Sequence, residues 1–146
     1  MPRQSRNTSF ADYRALAEFR FLIRRYLNNS EKAARSAGLE PQQYFGLLSM
    51  RGMPAGKQAT ISSLAERLQI RHHSAVELVD RMEKRGLCRR ERSKADRRLV
   101  LLQVTPRGEK LLQRLVRQRI AELQVTGPAL VRALSALLTP SAKRKL

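Results

Sequence analysis

Cysteine is almost missing from this chain of 146 residues, and tryptophan is missing altogether. A single thiol, Cys88, cannot close an internal disulfide, and one Cys with two His cannot build a structural zinc site. Aromatic residues make up 5% of the chain, which argues against a protein that stacks single-stranded bases on exposed rings. No apolar run approaches the roughly 18 to 20 residues that cross a bilayer. The basic segment 1–7 also lacks the apolar stretch of a secretory signal. These absences point to a soluble, cytoplasmic protein with no membrane partner. No Gly-rich phosphate loop, nucleophile elbow or HExxH motif occurs, so no enzyme activity, catalytic residue, metal or cofactor is expected.

Acidic residues are also scarce. Twelve Asp and Glu face thirty Lys and Arg, a formal net charge of +18. Solubility needs far less in a small domain, so the excess points to a polyanionic partner. Charge by itself does not choose between DNA and RNA. With 42% hydrophobic residues, a chain of this length can bury a core.

Along the chain there is no repeat and no Gly/Ser linker, and residues 1–8 and Ser141–Leu146 read as frayed ends. A first helix is predicted from about Phe10 to about Arg35. Tyr13, Leu16, Ala17, Ile23 and Leu27 recur on one side of it, and Phe19, Leu22 and Tyr26 supply a second apolar face. A helix apolar on two sides needs partners on both, which suggests a dimer helix; a central core helix of a monomer is the other reading. Gly38 closes this helix, Pro41 opens a second through Tyr44 to Met50, and Gly52 and Pro54 end it.

From Thr60 the punctuation becomes specific. Thr60 and Ser62 or Ser63 can cap a short helix, with Glu66 three residues after Ser63 as in a capping box. A turn at Gln69 and Ile70 leads to another helix, about Arg71 to Arg85, whose His73, Glu77, Arg81 and Lys84 share a polar stripe. Two short helices joined by a tight turn make a helix-turn-helix, and such a second helix fits the major groove of B-DNA. Gly86 ends it. Two β-prone segments, 87–92 and 99–104, flank a polar tip, Ser93 to Arg98, and so form a hairpin wing. Lys84, Arg85, Arg89, Arg90, Arg92, Lys94, Arg97 and Arg98 fall within fifteen positions, and phosphate contact is the preferred reading of that run. Thr105-Pro106 starts another helix, and Gly127-Pro128 is expected to break it, leaving a last helix from Ala129.

In order and spacing, Thr60–Leu68, Val79–Leu87, Asp96-Arg-Arg98 and Val104-Thr-Pro-Arg-Gly108 resemble the MarR family of regulators. The resemblance is close over about Thr60 to Leu112 and looser in the flanking helices. It implies a mainly α fold with a small β-hairpin wing (α+β), a winged helix-turn-helix at 58–105 flanked by a helical dimerisation region at 8–57 and 106–140. It implies a homodimer acting on a pseudopalindromic double-stranded DNA operator, as a repressor responsive to a small aromatic or lipophilic ligand.

The resemblance also assigns roles. Asp96 and Arg98 match the Asp-x-Arg signature of the wing, with the arginine in the minor groove, where a narrow A·T groove concentrates negative potential. Lys94 and Arg97 join them at the wing. On the recognition helix, Arg71, His72 and Ser74 are assigned to phosphate or base contacts, and His73 and Arg81 to base readout. Glu77 either accepts from a cytosine amino group or pairs with Arg81 four residues on, and the pairing is preferred. Arg71 stands where relatives often place a small capping residue. Phe19, Tyr26, Tyr44 and Phe45 are candidate ligand-lining residues, although plain core is the commoner role of such aromatics. Core packing is also preferred over redox sensing for Cys88. The competing function is a sequence-indifferent, basic nucleoid or RNA-associated structural protein, favoured by the size of the charge.

Overall fold

A computed structural model describes residues 7–140; the segments 1–6 and 141–146, expected to fray, lie outside the described residues. In chain order they form α1 (Phe10–Ser36), α2 (Pro41–Arg51), α3 (Ile61–Leu68), α4 (His72–Lys84), β1 (Cys88–Arg92), β2 (Val100–Val104) and α5 (Pro106–Leu138). The strands pair antiparallel, Cys88 opposite Val104 and Arg92 opposite Val100. The fold is therefore mainly helical with one β-hairpin.

Local chemistry sets the helix starts. Ser9 and Asp12 exchange side-chain bonds with each other's backbone N–H ahead of α1, at 2.9 and 3.3 Å. Pro41 opens α2, where its missing N–H leaves nothing unpaired. The capping box of α3 lies three residues earlier than the Ser63–Glu66 spacing suggests. Thr60 Oγ1 accepts from Ser63 N at 3.1 Å, and Ser63 Oγ accepts from Thr60 N at 2.8 Å. A short serine hydroxyl reaches the cap backbone as well as a glutamate does. At the start of α5, Thr105 Oγ1 accepts from Gly108 N at 3.1 Å.

Gly127-Pro128 does not break α5, which continues through it to Leu138. Proline removes one helical hydrogen bond and costs roughly 3 kcal/mol in a helix interior. Here the residue that loses its donor, Gln124, is exposed to water. Half-buried Leu123, Leu130 and Leu137 and buried Ala133 keep helical spacing across the site, so one packing face spans the proline.

The chain divides into two compact units: residues 31–117, and 7–30 together with 118–140. The first contains a core built on Leu47, Leu64, Leu78, Met82, Leu87 and Leu115, all with at most 2% of their surface exposed. Since Tyr44, Leu47, Met50 and Leu115 belong to that core, α2 and the first third of α5 pack with the winged segment. The compact unit that holds the winged segment therefore also includes α2 and the base of α5. In the second unit, Leu22 is buried and Phe19 and Tyr26 are half-buried. Arg119, itself buried, lies under the Tyr26 ring at 5.1 Å from its centroid, donates to Ser30 Oγ at 3.1 Å and pairs with Glu122. Among the described residues no helix is long and apolar enough to cross a membrane.

Two glycines of α5 should respond to alanine in opposite directions. A Cβ on Gly108 would sit 2.2 Å from the Leu87 carbonyl oxygen, whereas one on Gly127 meets nothing within 4 Å. Gly108→Ala is expected to cost about 3 kcal/mol or more. Gly127→Ala should add about 0.5 to 1 kcal/mol by removing a flexible residue from a helix interior. Urea titration of both variants checks the pair.

Candidate nucleic-acid interface

α3 and α4 are set by their buried faces. Leu64 and Ala65 of α3 and Ala75, Leu78, Val79 and Met82 of α4 turn inward. The link between them turns at Gln69, whose φ of 53° is unusual for a residue with a side chain and costs on the order of 1 kcal/mol. Ile70 N donates to Ala65 O at 3.0 Å and closes the turn. Burying one face of α4 leaves His72, His73, Glu77, Arg81 and Lys84 exposed on the other, with Ser74 half-buried. Arg71 occupies the N-cap of α4 without a side-chain capping bond. The backbone N–H groups of that first turn are therefore uncapped by it, which suits an end that meets phosphate.

The preferred Glu77–Arg81 pair does not form. Arg81 Nε lies 3.4 Å from Glu40 Oε2, because the start of α2 brings that carboxylate within reach. Both side chains are about half exposed, so the pair is weak and easily exchanged for another acceptor. Glu77 is left on the exposed stripe.

The basic run from Lys84 to Arg98 divides into two groups by the partners its side chains meet. Arg85 donates to Gln43 Oε1 at 2.6 Å and to Gly38 O at 2.7 Å, tying the end of α4 to the α1–α2 corner. Arg89 bonds across the hairpin to Gln103 at 3.1 Å. Arg90 reaches from β1 back to α4, meeting Asp80 at 2.8 Å and also Glu83. Partial burial alone would lower the Arg90 pKa, but its bonds to Asp80 and Glu83 outweigh that and hold it above its ordinary value. Arg92 donates to Arg97 O at 2.7 Å. Four of the eight arginines and lysines therefore shape the wing and its seat. Asp80 and Glu83, spaced three apart on α4, were the legible sign of a cation arriving from elsewhere.

Lys84, Lys94, Arg97 and Arg98 keep exposed side chains. The wing tip that carries the last three is fixed by its own bonds. Asp96 Oδ1 accepts from Arg98 N at 3.0 Å, Ser93 Oγ accepts from Asp96 N at 3.2 Å, and Ser93 N donates to Leu99 O at 2.8 Å. Asp96 thus braces the turn; Arg98 Nε lies 3.7 Å from the same carboxylate, in a weak surface pair, and its side chain is 95% exposed. An arginine projecting from a rigid tip loses little backbone entropy on entering a groove.

Of the four aromatic residues considered for a ligand, Tyr44 is buried in the core and Phe45 packs against it, their rings 5.4 Å apart. Tyr26 is engaged with Arg119, and Phe19 is half-buried. An open groove of about 510 Å³ does exist in the winged unit. Leu48, Leu112, Val116 and the Arg51–Glu109 pair line it.

Comparison with known proteins bears on this arrangement. Residues 39–100, from the start of α2 to the beginning of β2, match the MarR family model. YsmB of Bacillus subtilis, an uncharacterised HTH-type transcriptional regulator, is 30% identical over 81 residues. That stretch is 56% of this chain and 53% of YsmB, so the match spans about half the length of the curated relative. Among solved structures, AbsC of Streptomyces coelicolor, a MarR family transcriptional regulator, superposes with a TM-score of 0.71 at 22% identity, covering 95% of this chain and 97% of AbsC. A Staphylococcus aureus MepR variant bound to an oligodeoxyribonucleotide gives 0.58 at 18% identity, covering 82% and 94%. At such identities the structural matches show a shared fold.

Cys88 sits at the base of the wing, 2% exposed. Burial, helped by nearby Glu83 and only partly opposed by Arg90, raises its thiol from 9.0 to about 11. The thiolate is the reactive form, so the folded protein should resist alkylation and peroxide at neutral pH. Because the unfolded chain ionises first, the contribution of this thiol to stability is complete below pH 9 and is lost as pH rises toward 11. Iodoacetamide labelling followed by mass spectrometry should show modification only after denaturant is added. Rapid labelling of the native protein at pH 7 would contradict the burial argument.

Proposed function

From a chain whose residues 39–100 match the MarR family model, we propose that the protein is a dimeric, sequence-specific regulator of transcription that binds double-stranded DNA. The observation that carries this reading is the wing tip, where Asp96 fixes the turn and Arg98 projects 95% exposed, in the same compact unit as the open face of α4. α4 enters the major groove. Arg71, His72 and Ser74 meet phosphate or base edges at its start, and His73 and Arg81 read bases, Arg81 exchanging Glu40 for DNA. Glu77 accepts from a cytosine amino group. Lys94 and Arg97 hold phosphate while Arg98 enters the minor groove. The bound oligodeoxyribonucleotide in the MepR complex, which shares this fold, supports the assignment.

The dimer is supported by what the helices leave bare. On α1, Tyr13, Leu16 and Leu27 are exposed while Leu22 on its other face is buried; on α5, Ile120, Val125, Val131 and Leu134 are exposed as well. An apolar surface of that extent is costly in water and fits a second copy of the chain. Two reading heads then meet half-sites about one helical turn, roughly 34 to 36 Å, apart on a pseudopalindrome. Repression follows if that site overlaps a promoter. The groove between Leu48 and Val116 is where a small aromatic or lipophilic effector would bind, its apolar wall facing the ring and Arg51 its polar group.

Fluorescence-anisotropy titrations of DNA from around the gene, against scrambled DNA, test the reading. A regulator should prefer its operator by about 10³-fold or more at physiological salt, and Arg98→Ala should remove most of that preference. Equal binding to every sequence would favour the sequence-indifferent nucleoid or RNA-associated protein instead. For the dimer, light scattering at micromolar concentration should give twice the 16.7 kDa of one chain. Leu16→Glu combined with Leu27→Glu should give one chain's mass.

A further inference from the structure

The charge of this chain is not exhausted by α4 and the wing. On the first third of α5, Arg107, Lys110, Arg114 and Arg117 follow one another at spacings of three, four and three, and all four are exposed. Gly108, Leu112 and Leu115 of the same stretch are buried, so the cations run along the side directly opposite the packed face. Among the described residues none of the four has an ion-pair or hydrogen-bond partner. The one acid of this segment, Glu109, lies on another side of the helix, where it meets Arg51 at 3.0 Å and Gln113 at 3.3 Å. Elsewhere in the same unit Arg35, Arg51, Arg81 and Arg90 each meet a carboxylate. The stripe is therefore a line of uncompensated charge on a rigid rod.

Its place in the fold gives it a direction. The Arg107 Cδ lies 4.0 Å from where a side chain on Gly86 would begin, so the stripe starts beside the C-terminal end of α4. The uncapped end of α4 is about 20 Å away, the length of a 13-residue helix. Phosphates held at that end cannot also reach the stripe. From Arg107 to Arg117 the stripe rises about 15 Å, which spans up to about four phosphates of one strand at roughly 3.4 Å of axis each. Three of the four cations are arginines, whose planar donors match phosphate oxygens.

We propose that this stripe on α5 is a second phosphate-binding surface, taking the backbone of duplex DNA outside the segment that α4 and the wing contact. The proposal rests on the DNA-binding reading above. It gives the surplus charge a defined role, extending the footprint and fixing the path of the flanking duplex, and it contributes no base readout.

The test compares the wild type with the Arg107→Gln, Lys110→Gln, Arg114→Gln, Arg117→Gln variant, all at exposed positions, its fold checked by circular dichroism. Anisotropy is measured over a salt series on a minimal duplex of about 20 bp holding two half-sites about one turn apart, and on one about 60 bp long with the same site centred. For the wild type, the slope of log affinity against log salt should be steeper on the long duplex. In the variant the long-duplex slope should fall by about 2 to 4 for each copy of the chain, so about 4 to 7 for the dimer, near 0.9 for each phosphate that is no longer neutralised, while the minimal duplex keeps its slope and its preference over scrambled DNA. A variant that keeps the flank-dependent steepening, or whose slope falls equally on both duplexes, would overturn the proposal. So would an equal fall in the charge-matched control Arg14→Gln, Arg20→Gln, Arg24→Gln, Arg132→Gln. Loss of single-stranded RNA binding with the long-duplex slope intact would assign the stripe to RNA and overturn it too. Wild-type protein without operator preference would instead sink the regulator reading, and the slope comparison would still decide the stripe.

Discussion

Where the chain leaves α4 it runs, at Gly86 and Leu87, directly under the start of α5, and the two backbones touch. Gly108 comes so close to the Leu87 carbonyl that no Cβ fits between them. Thr105 stitches the crossing together. Its hydroxyl bonds to the Gly86 carbonyl, its own N–H donates to Leu87 O at 3.1 Å, and its oxygen caps Gly108 N. The crossing joins the end of the reading helix, both strands of the wing and the base of α5. Leu87 is fully buried beneath it and Cys88 nearly so, which places the start of β1 in the core. The angle between α4 and the wing is then held from the outside by Arg90 against Asp80 and Glu83. An apolar junction within and an ionic clamp without leave little freedom between the two elements that would straddle a duplex.

Much of this was legible in the sequence because it rests on local rules. Pro41 and Thr105-Pro106 mark helix starts wherever they fall, and Gly86 between a helical stripe and a β-prone segment could hardly be anything but a stop. The helix-turn-helix and hairpin follow from periodicity and turn residues alone. What local rules missed depends on neighbours far along the chain. Gln124 to Leu130 carries the strongest breaker pair in the sequence, yet α5 continues because one face stays packed on both sides of it. Propensity is a weak prior once tertiary burial acts on a segment. Likewise the core beneath the winged segment draws Tyr44 and Leu47 from α2 and Leu115 from α5, neighbours that no local rule from Thr60 onward connects to it.

The candidate site shows the same division between residue type and partner. A run of cations in sequence looks uniform, and only the fold shows which of them are spent internally. Arg85 and Arg90 stiffen the junction of α4 and the wing, Arg89 and Arg92 tie the hairpin, and Arg98, 3.7 Å from Asp96 Oδ1, keeps a side chain that is 95% exposed. Arg81 was placed on the correct face of α4, but its partner Glu40 lies 41 residues earlier, beyond any rule of helical spacing. Sequence identifies which side chains can bind phosphate. Geometry decides which have nothing else to do.

Net charge and the exposed apolar helices constrain one another. Two copies of a +18 chain repel wherever their charges approach within a Debye length, roughly 8 Å at physiological salt. Association through α1 and α5, as proposed, would draw its free energy from apolar burial and would work against that repulsion. A bound duplex would reverse the balance. On the proposed reading, each phosphate neutralised at the wing, at the start of α4 or along α5 would remove a charge that opposes pairing, so DNA would favour the dimer and the dimer would favour DNA. By linkage the coupling is reciprocal, and it weakens as salt screens both terms. A regulator built this way would hold its dimer more tightly on the operator, which supplies the counter-charge, than free in solution.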